Sequence, residues 1–252
     1  MVAFNLKNFF WVLMGCFMLS ILASDVHASV IMNGTRIIYH AKDKSVDVNL
    51  KNKSEHPYVV QLWFDEGDMS VTPSTQTNIP FFATPTIFKI QPNATQIVRI
   101  AYTKAQQLPQ DRESVFYFNF LEIPPSNIAD NTNSKQNKML VMFRNRLKMF
   151  YRPDNLRGSP NDLLQNLEIK RQSTDKKLSI EVHNPSPFFA SLSQVVFASK
   201  NKTYQAQAEM IPPFSSKVFT FDGAAVNEQG GITLTVINDQ GARISESYLL
   251  EM

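Results

Sequence analysis

Residues Leu108–Pro125 read LPQDRESVFYFNFLEIPP, and this stretch decides the fold class. It opens on a turn, Leu108-Pro109-Gln110-Asp111, passes through the charged triplet Arg112-Glu113-Ser114, and then alternates with period two. Phe116, Phe118 and Phe120 fall on one face, and Val115, Tyr117 and Asn119 on the other. Side chains two apart share a face in an extended strand, and aromatic and β-branched residues suit that pleated surface. Pro124-Pro125 stops the strand, because proline brings no N–H to a sheet ladder. The stretch is therefore a strand that is apolar or aromatic on nearly both faces.

Outward from it, period two recurs and no long stretch repeats at the helical period. Val46, Val48 and Leu50 alternate with Asp47, Asn49 and Lys51, and strand-like runs cover Tyr58–Phe64, Thr95–Tyr102 and Met139–Phe150. After Tyr151-Arg152-Pro153 the composition turns polar (DNLRGSPND), with room for at most one short helical turn near Asp162–Leu167. Strand runs resume at Leu178–Val182, Gln194–Ala198, Lys217–Phe221, Ile232–Ile237 and Ile244–Leu250. Short strands at roughly ten-residue spacing, punctuated by Pro, Asn and Asp, predict antiparallel sandwiches. The fold class is all-β: two immunoglobulin-like β-sandwich domains, residues 29–152 and 160–252, joined by a linker at 153–159. The second block is poorer in aromatic residues and is expected to have the smaller core.

Ahead of these blocks, Lys7 is the only charge before an apolar run from Phe9 to Ala23. That run is too short for a membrane-spanning helix, which needs about 20 apolar residues. Val26-His27-Ala28 supplies small residues at the two positions a signal peptidase reads. Residues 1–28 are expected to be a cleaved secretory signal, leaving Ser29 as the mature N-terminus. The competing reading, an uncleaved anchor, lacks a basic cluster after the apolar run.

The one cysteine, Cys16, lies within that segment, so the mature chain is expected to have no disulfide, thiol nucleophile or cysteine metal site. A formal charge of +3, with basic and acidic residues interspersed, gives no argument for nucleic acid. His40, His56 and His183 stand at no metal-ligand spacing, there is no GxSxG elbow, and eight glycines form no phosphate loop. The chain is not expected to be an enzyme: no catalytic residue, metal or cofactor is assigned. Sequons at Asn33, Asn52, Asn93 and Asn201 are too common by chance to decide anything.

Two features stand out from a plain sandwich. Arg36 lies on an otherwise apolar strand with Ile37, Ile38 and Tyr39, and Lys148 lies between Leu147 and Met149. A cation embedded among apolar neighbours needs an anion, either an internal carboxylate or one brought by a partner. In Met139–Phe150, Met139, Val141 and Phe143 share one face, while Leu140 and Met142 make the other face apolar too, ahead of Arg144 and Arg146. At a sheet edge, such a strand can give one face to its own core and the other to a partner.

The stretch at Leu108–Pro125 resembles the signature of the PapD-like periplasmic pilus-assembly chaperones. The resemblance extends along the mature chain, in order. It takes in Thr35-Arg36-Ile37-Ile38-Tyr39, Pro57–Trp63 (PYVVQLW), Thr84-Pro85 before Ile87–Pro92 (IFKIQP), Leu147–Pro153 (LKMFYRP) and Ile237–Gly241 (INDQG). Phe120 stands where the family usually has an aliphatic residue, and Thr86 replaces the second proline of the usual Thr-Pro-Pro. The polar segment Ser126–Lys138 is somewhat long but lacks the cysteine pair of the long-loop subgroup, so the chain is most similar to the short-loop subgroup.

The resemblance implies two sandwiches set at an angle around a cleft. It implies that Arg36 and Lys148 anchor the C-terminal carboxylate of a fimbrial subunit there. It assigns Met139, Val141 and Phe143 to a donor strand that fills the groove of a subunit lacking its last strand. Glu113, Arg152 and Asp239 would form an interdomain ion network. The implied setting is the periplasm, without membrane insertion. The implied partners are fimbrial subunits and an outer-membrane usher, with self-association open to the empty protein. The rival class, a receptor-like or adhesive immunoglobulin-domain protein, would bind no subunit, and a periplasmic hydrolase lacks its catalytic constellation.

Overall fold

The computed structural model describes residues 29–75, 78–125, 140–172, 177–200 and 202–250. The expected leader, Met139 and the whole of Ser126–Lys138 lie outside them.

In the first half, two sheets close over one core. The first sheet runs β1 (Val30–Met32), β3 (Val46–Asn52), β7 (Thr95–Tyr102), β5 (Phe81–Thr84). The second runs β2 (Arg36–His40), β9 (Phe143–Arg152), β8 (Ser114–Ile123), β4 (Tyr58–Asp65), β6 (Ile87–Ile90). Phe116, Phe118 and Phe120 point inward, as their period requires, and are buried. Phe81 meets them from the facing sheet, its ring edge-on to Phe116 at 4.9 Å and to Tyr39 at 5.3 Å. Such pairs contribute about 0.5–1.5 kcal/mol beyond the area they bury. The chain changes sheets between β1 and β2, where Gly34 takes a φ of 104° that a side chain would resist. Every strand pair here is antiparallel except β2 with β9.

Strand β9 begins at Phe143, later than the Met139 start expected from the sequence. Its ladder with β8 begins at the pair Glu122–Phe143. The ladder stops there because β8 runs out one residue before Pro124, which has no donor to extend it.

In the second half, β10 (Glu168–Gln172), β11 (Leu178–Asn184) and β15 (Ser215–Phe221) form one sheet. The other runs β13 (Thr203–Ala206), β12 (Ala190–Ser199), β16 (Gly230–Ile237), β17 (Arg243–Leu249), with β14 (Met210–Ile211) added to β12. Pro160–Asp162 make a 3-10 turn capped by the Ser159 hydroxyl, and α1 (Leu163–Asn166) follows as the one short helical turn. Leu163 and Leu164 of α1 are buried in the second core.

Among the described residues each core holds nineteen buried apolar residues, but the first counts seven rings and one alanine against four rings and three alanines in the second, so the second core is equal in number and smaller in side-chain volume. Rings fill much of the first, whereas Leu, Ile and Val from α1, β11 and β16 fill the second.

Candidate functional site

Arg36 and Lys148 are cross-strand partners in the parallel β2–β9 ladder. Their neighbours Ile37 and Met149 point into the core, so both cations point to the opposite face of the sheet. Arg36 Nη1 donates to the Ile237 carbonyl across the domain boundary at 2.6 Å. Its guanidinium stands 5.8 Å from the centre of the Phe150 ring, and its buried Nε has no hydrogen-bond partner. Among the described residues no carboxylate lies within ion-pair distance of either cation. Burial holds Arg36 below its ordinary pKa, against the pull of Asp239 and Glu113. Burial likewise lowers Lys148, and the adjacent Arg36 and Arg146 charges lower it further. Two half-buried cations side by side favour an incoming anion, which would satisfy both.

Beside this pair the two sandwiches are joined. Arg152, the last residue of β9, donates from Nε to Glu113 Oε1 at 2.7 Å. It donates from Nη1 and Nη2 to the two carboxylate oxygens of Asp239, at 2.7 and 3.0 Å. Glu113 Oε2 in turn accepts the Phe189 N–H at 2.9 Å, and the Glu113 N–H donates to the Pro187 carbonyl at 2.9 Å. Burial pushes the Glu113 carboxyl above its ordinary value, with Arg152 opposing. Burial also acts against the Arg152 charge, but its bonds to Asp239 and Glu113 prevail and raise it. The turn bearing Asp239 fits closely: a Cβ on Gly241 would meet Thr35 Oγ1 at 2.6 Å. Glu113, Arg152 and Asp239 thus come from three distant stretches into one contact.

The stretch expected to donate a strand has a different character. Strand β2 pairs β9 only from Lys148 onward, so among the described residues Phe143–Leu147 have β8 on one side and no strand on the other. Leu140, Val141, Met142 and Phe143 are about half exposed, at 51, 47, 51 and 59%. Phe143 lies on the same face of β9 as Leu147, Met149 and Tyr151, which pack in the core. The strand therefore does not split its faces between core and partner, as the sequence suggested. One face runs out of the sandwich and becomes exposed where the facing sheet ends. Met139 is outside the described residues, and Val141 precedes the strand.

Residues 29–157 match the model of the pili and flagellar-assembly chaperone PapD N-terminal domain, and residues 162–248 that of the pili assembly chaperone PapD C-terminal domain. The chain belongs to the PapD family of pilus-assembly chaperones. It is similar to the probable fimbrial chaperone YadV of Escherichia coli, 37% identical over 88% of this chain and 90% of that one. The crystal structure of the YadV chaperone superposes with a TM-score of 0.76 at 35% identity, covering 88% of this chain and all of that one. The Salmonella enterica SafB chaperone, solved in complex with the SafA pilin, superposes at 0.72 with 27% identity, over 90% of this chain and 99% of that one.

Reading the sequence missed two buried carboxylates of this chaperone that flank the start of β9. Asp65, at the end of β4, is buried on the outer face of the second sheet beneath Arg144 and Arg146. Burial acts to raise its pKa, but the bonds from Arg146, Asn119 and the Gly67 N–H outweigh it, and the net direction is down. Glu122 is buried on the core face opposite Phe143, accepting the Val30 N–H at 2.9 Å and Asn145 Nδ2 at 2.6 Å. An arginine pair at i and i+2 on one strand face was the available signal, because two like charges so placed need a shared anion.

Proposed function

We propose that this chaperone captures fimbrial subunits in the periplasm and delivers them to an outer-membrane usher. In this reading residues 1–28 are removed on export, and the domains 29–152 and 160–252 meet through the linker 153–159. The subunit's C-terminal carboxylate enters between the sandwiches and accepts bonds from the guanidinium of Arg36 and the ammonium of Lys148. Its incomplete sandwich then pairs, main chain to main chain, with the free edge of β9. Met139, Val141 and Phe143 fill its open groove, each contributing roughly 1.5–3 kcal/mol on full burial. The same pairing blocks the edge through which subunits would join one another prematurely. Glu113, Arg152 and Asp239 hold the two sandwiches at the angle that the anchored carboxylate requires.

The observation that carries this reading is the adjacent pair Arg36–Lys148, with no carboxylate in ion-pair distance among the described residues, on the strand that an exposed apolar stretch leads into. A hydrogen bond to a charged group is worth about 1.5–3 kcal/mol, roughly a ten- to hundredfold change in binding. Lys148→Ala and Arg36→Ala are therefore expected to lower the fimbrial subunit co-purified per folded chaperone at least about tenfold, with both variants still secreted and folded. Undiminished recovery in both would rule out the anchor.

A further inference from the structure

Among the described residues, Phe143–Leu147 of β9 has no strand on the edge away from β8 and carries exposed apolar side chains next to its start. An unsupported edge of this kind frays unless its other side chains are tied down. Here they are. Asp65 Oδ2 accepts from Arg146 Nε at 2.9 Å, from Asn119 Nδ2 at 2.8 Å and from Arg144 Nη2 at 3.5 Å. Asp65 Oδ1 accepts from Arg146 Nη2 and from the Gly67 N–H. Arg144 also donates to Asn119 Oδ1 at 3.0 Å and to the Met69 carbonyl at 2.6 Å, its guanidinium 4.9 Å from the Trp63 ring centre. Arg146 lies 3.5 Å from the centre of the Tyr117 ring.

We propose that Asp65 is the positioning residue of the donor strand: one buried carboxylate pins Arg144 and Arg146 and so holds Phe143–Leu147 extended before a subunit arrives. The proposal rests on the donor-strand reading of β9. Arg144 and Arg146 alternate with Phe143, Asn145 and Leu147, so fixing them to the outer face sets the direction in which Phe143 projects. On the core face Asn145 is tied to Glu122, and the strand is gripped from both sides just behind its free apolar end. A strand ordered in advance loses less freedom when it pairs, and the gain appears as faster and tighter capture. Asp65 touches no subunit in this arrangement; it acts through the two arginines.

The test uses Asp65→Asn, with Arg144→Gln as the second variant because Arg144 is partly exposed and its loss leaves the core intact. Asp47→Asn, which breaks an exposed pair with Arg99 on the other sheet, is the control. Each full-length protein is followed by amide exchange of peptides covering Phe143–Leu147. It is also followed by the rate at which folded chaperone captures a co-expressed fimbrial subunit that the native protein retains. Both positional variants are expected to lose protection in Phe143–Leu147 while the rest of the molecule keeps it, and to capture roughly tenfold more slowly. The control should do neither. If Asp65→Asn does not fold, Arg144→Gln decides alone. Native protection with native capture, or either change without the other, overturns the positioning role. If the native protein captures no subunit at all, the donor-strand reading itself fails, and the positioning role fails with it.

Discussion

Glu122 makes an unusual cross-strand pair with Phe143, because a carboxyl on a core face opposes a ring that the core does not cover. Burial pushes this carboxyl above its ordinary value of 4.5, while the Val30 N–H and Asn145 oppose the rise. A carboxyl that holds its proton more readily when folded contributes stability that is complete below its ordinary value and lost as pH rises through the folded one. Glu122→Gln, which keeps an acceptor for Val30, is therefore expected to be more stable than the native chain at pH 7 and equal to it near pH 4. Denaturant midpoints at the two pH values check this, and a less stable variant at pH 7 would show that the ionised carboxylate is wanted. Asp65 works in the opposite sense. Its pKa is lowered, so its contribution is present above its ordinary value of 3.8 and fails only in stronger acid. Neither acid was legible in the sequence, whereas Arg36 and Lys148 were. A cation between Ile, Leu and Met neighbours declares itself, but Asp65 sits in FDEGD, which reads as a turn, and Glu122 in LEIPP, which reads as a solvated strand end. Their burial depends on Arg146, Asn145 and Val30, partners far along the chain that no local pattern links to them.

Strand β9 shows why element type was legible and element duty was not. Period two placed the longer strands of both halves to within a few residues, since alternation follows from the pleat itself, but short β1, β5, β6, β10, β13 and β14 carried too little of it to be marked. The same alternation runs unbroken through Phe143, Asn145, Leu147, Met149 and Tyr151, yet along that row exposure gives way to full burial. The pleat repeats whether or not a facing sheet is present; coverage is a property of the other sheet. Val141 tests the uncovered end. If its side chain is free in the empty chaperone, Val141→Glu should leave the melting temperature close to native, because exposed substitutions usually stay within about 0.5 kcal/mol. The variant should also self-associate less, since a charge blunts an apolar edge, and it should fail to retain subunit. Circular dichroism, sedimentation and co-purification give the three readings, and a large loss of free-state stability would show that Val141 is covered.

At the scale of the molecule, the two sandwiches meet through a hairpin turn of the second, Ile237–Gly241, seated on Thr35, Arg36 and Arg152 of the first. Asp239→Asn leaves the turn in place but removes the charge that Arg152 grips with two bonds. It is expected to lower stability by about 1.5–3 kcal/mol and to broaden the range of interdomain angles, with a smaller effect on subunit affinity. Small-angle scattering and thermal melting together check it, and an unchanged profile with unchanged melting would remove Asp239 from the hinge. The parallel β2–β9 ladder carries a consequence for the order of events in synthesis. Arg36 belongs to the first part of the first sandwich to be made, and Lys148 to the last, yet the two must lie side by side. A contact between such distant positions is among the slowest to form, because a long loop must close before it is rewarded. If Arg36 and Lys148 anchor a carboxylate as proposed, their site acts as a certificate of completion. A nascent or truncated chain that lacks β9 would then have no place for a carboxylate, and only a finished chaperone could take charge of an unfinished client.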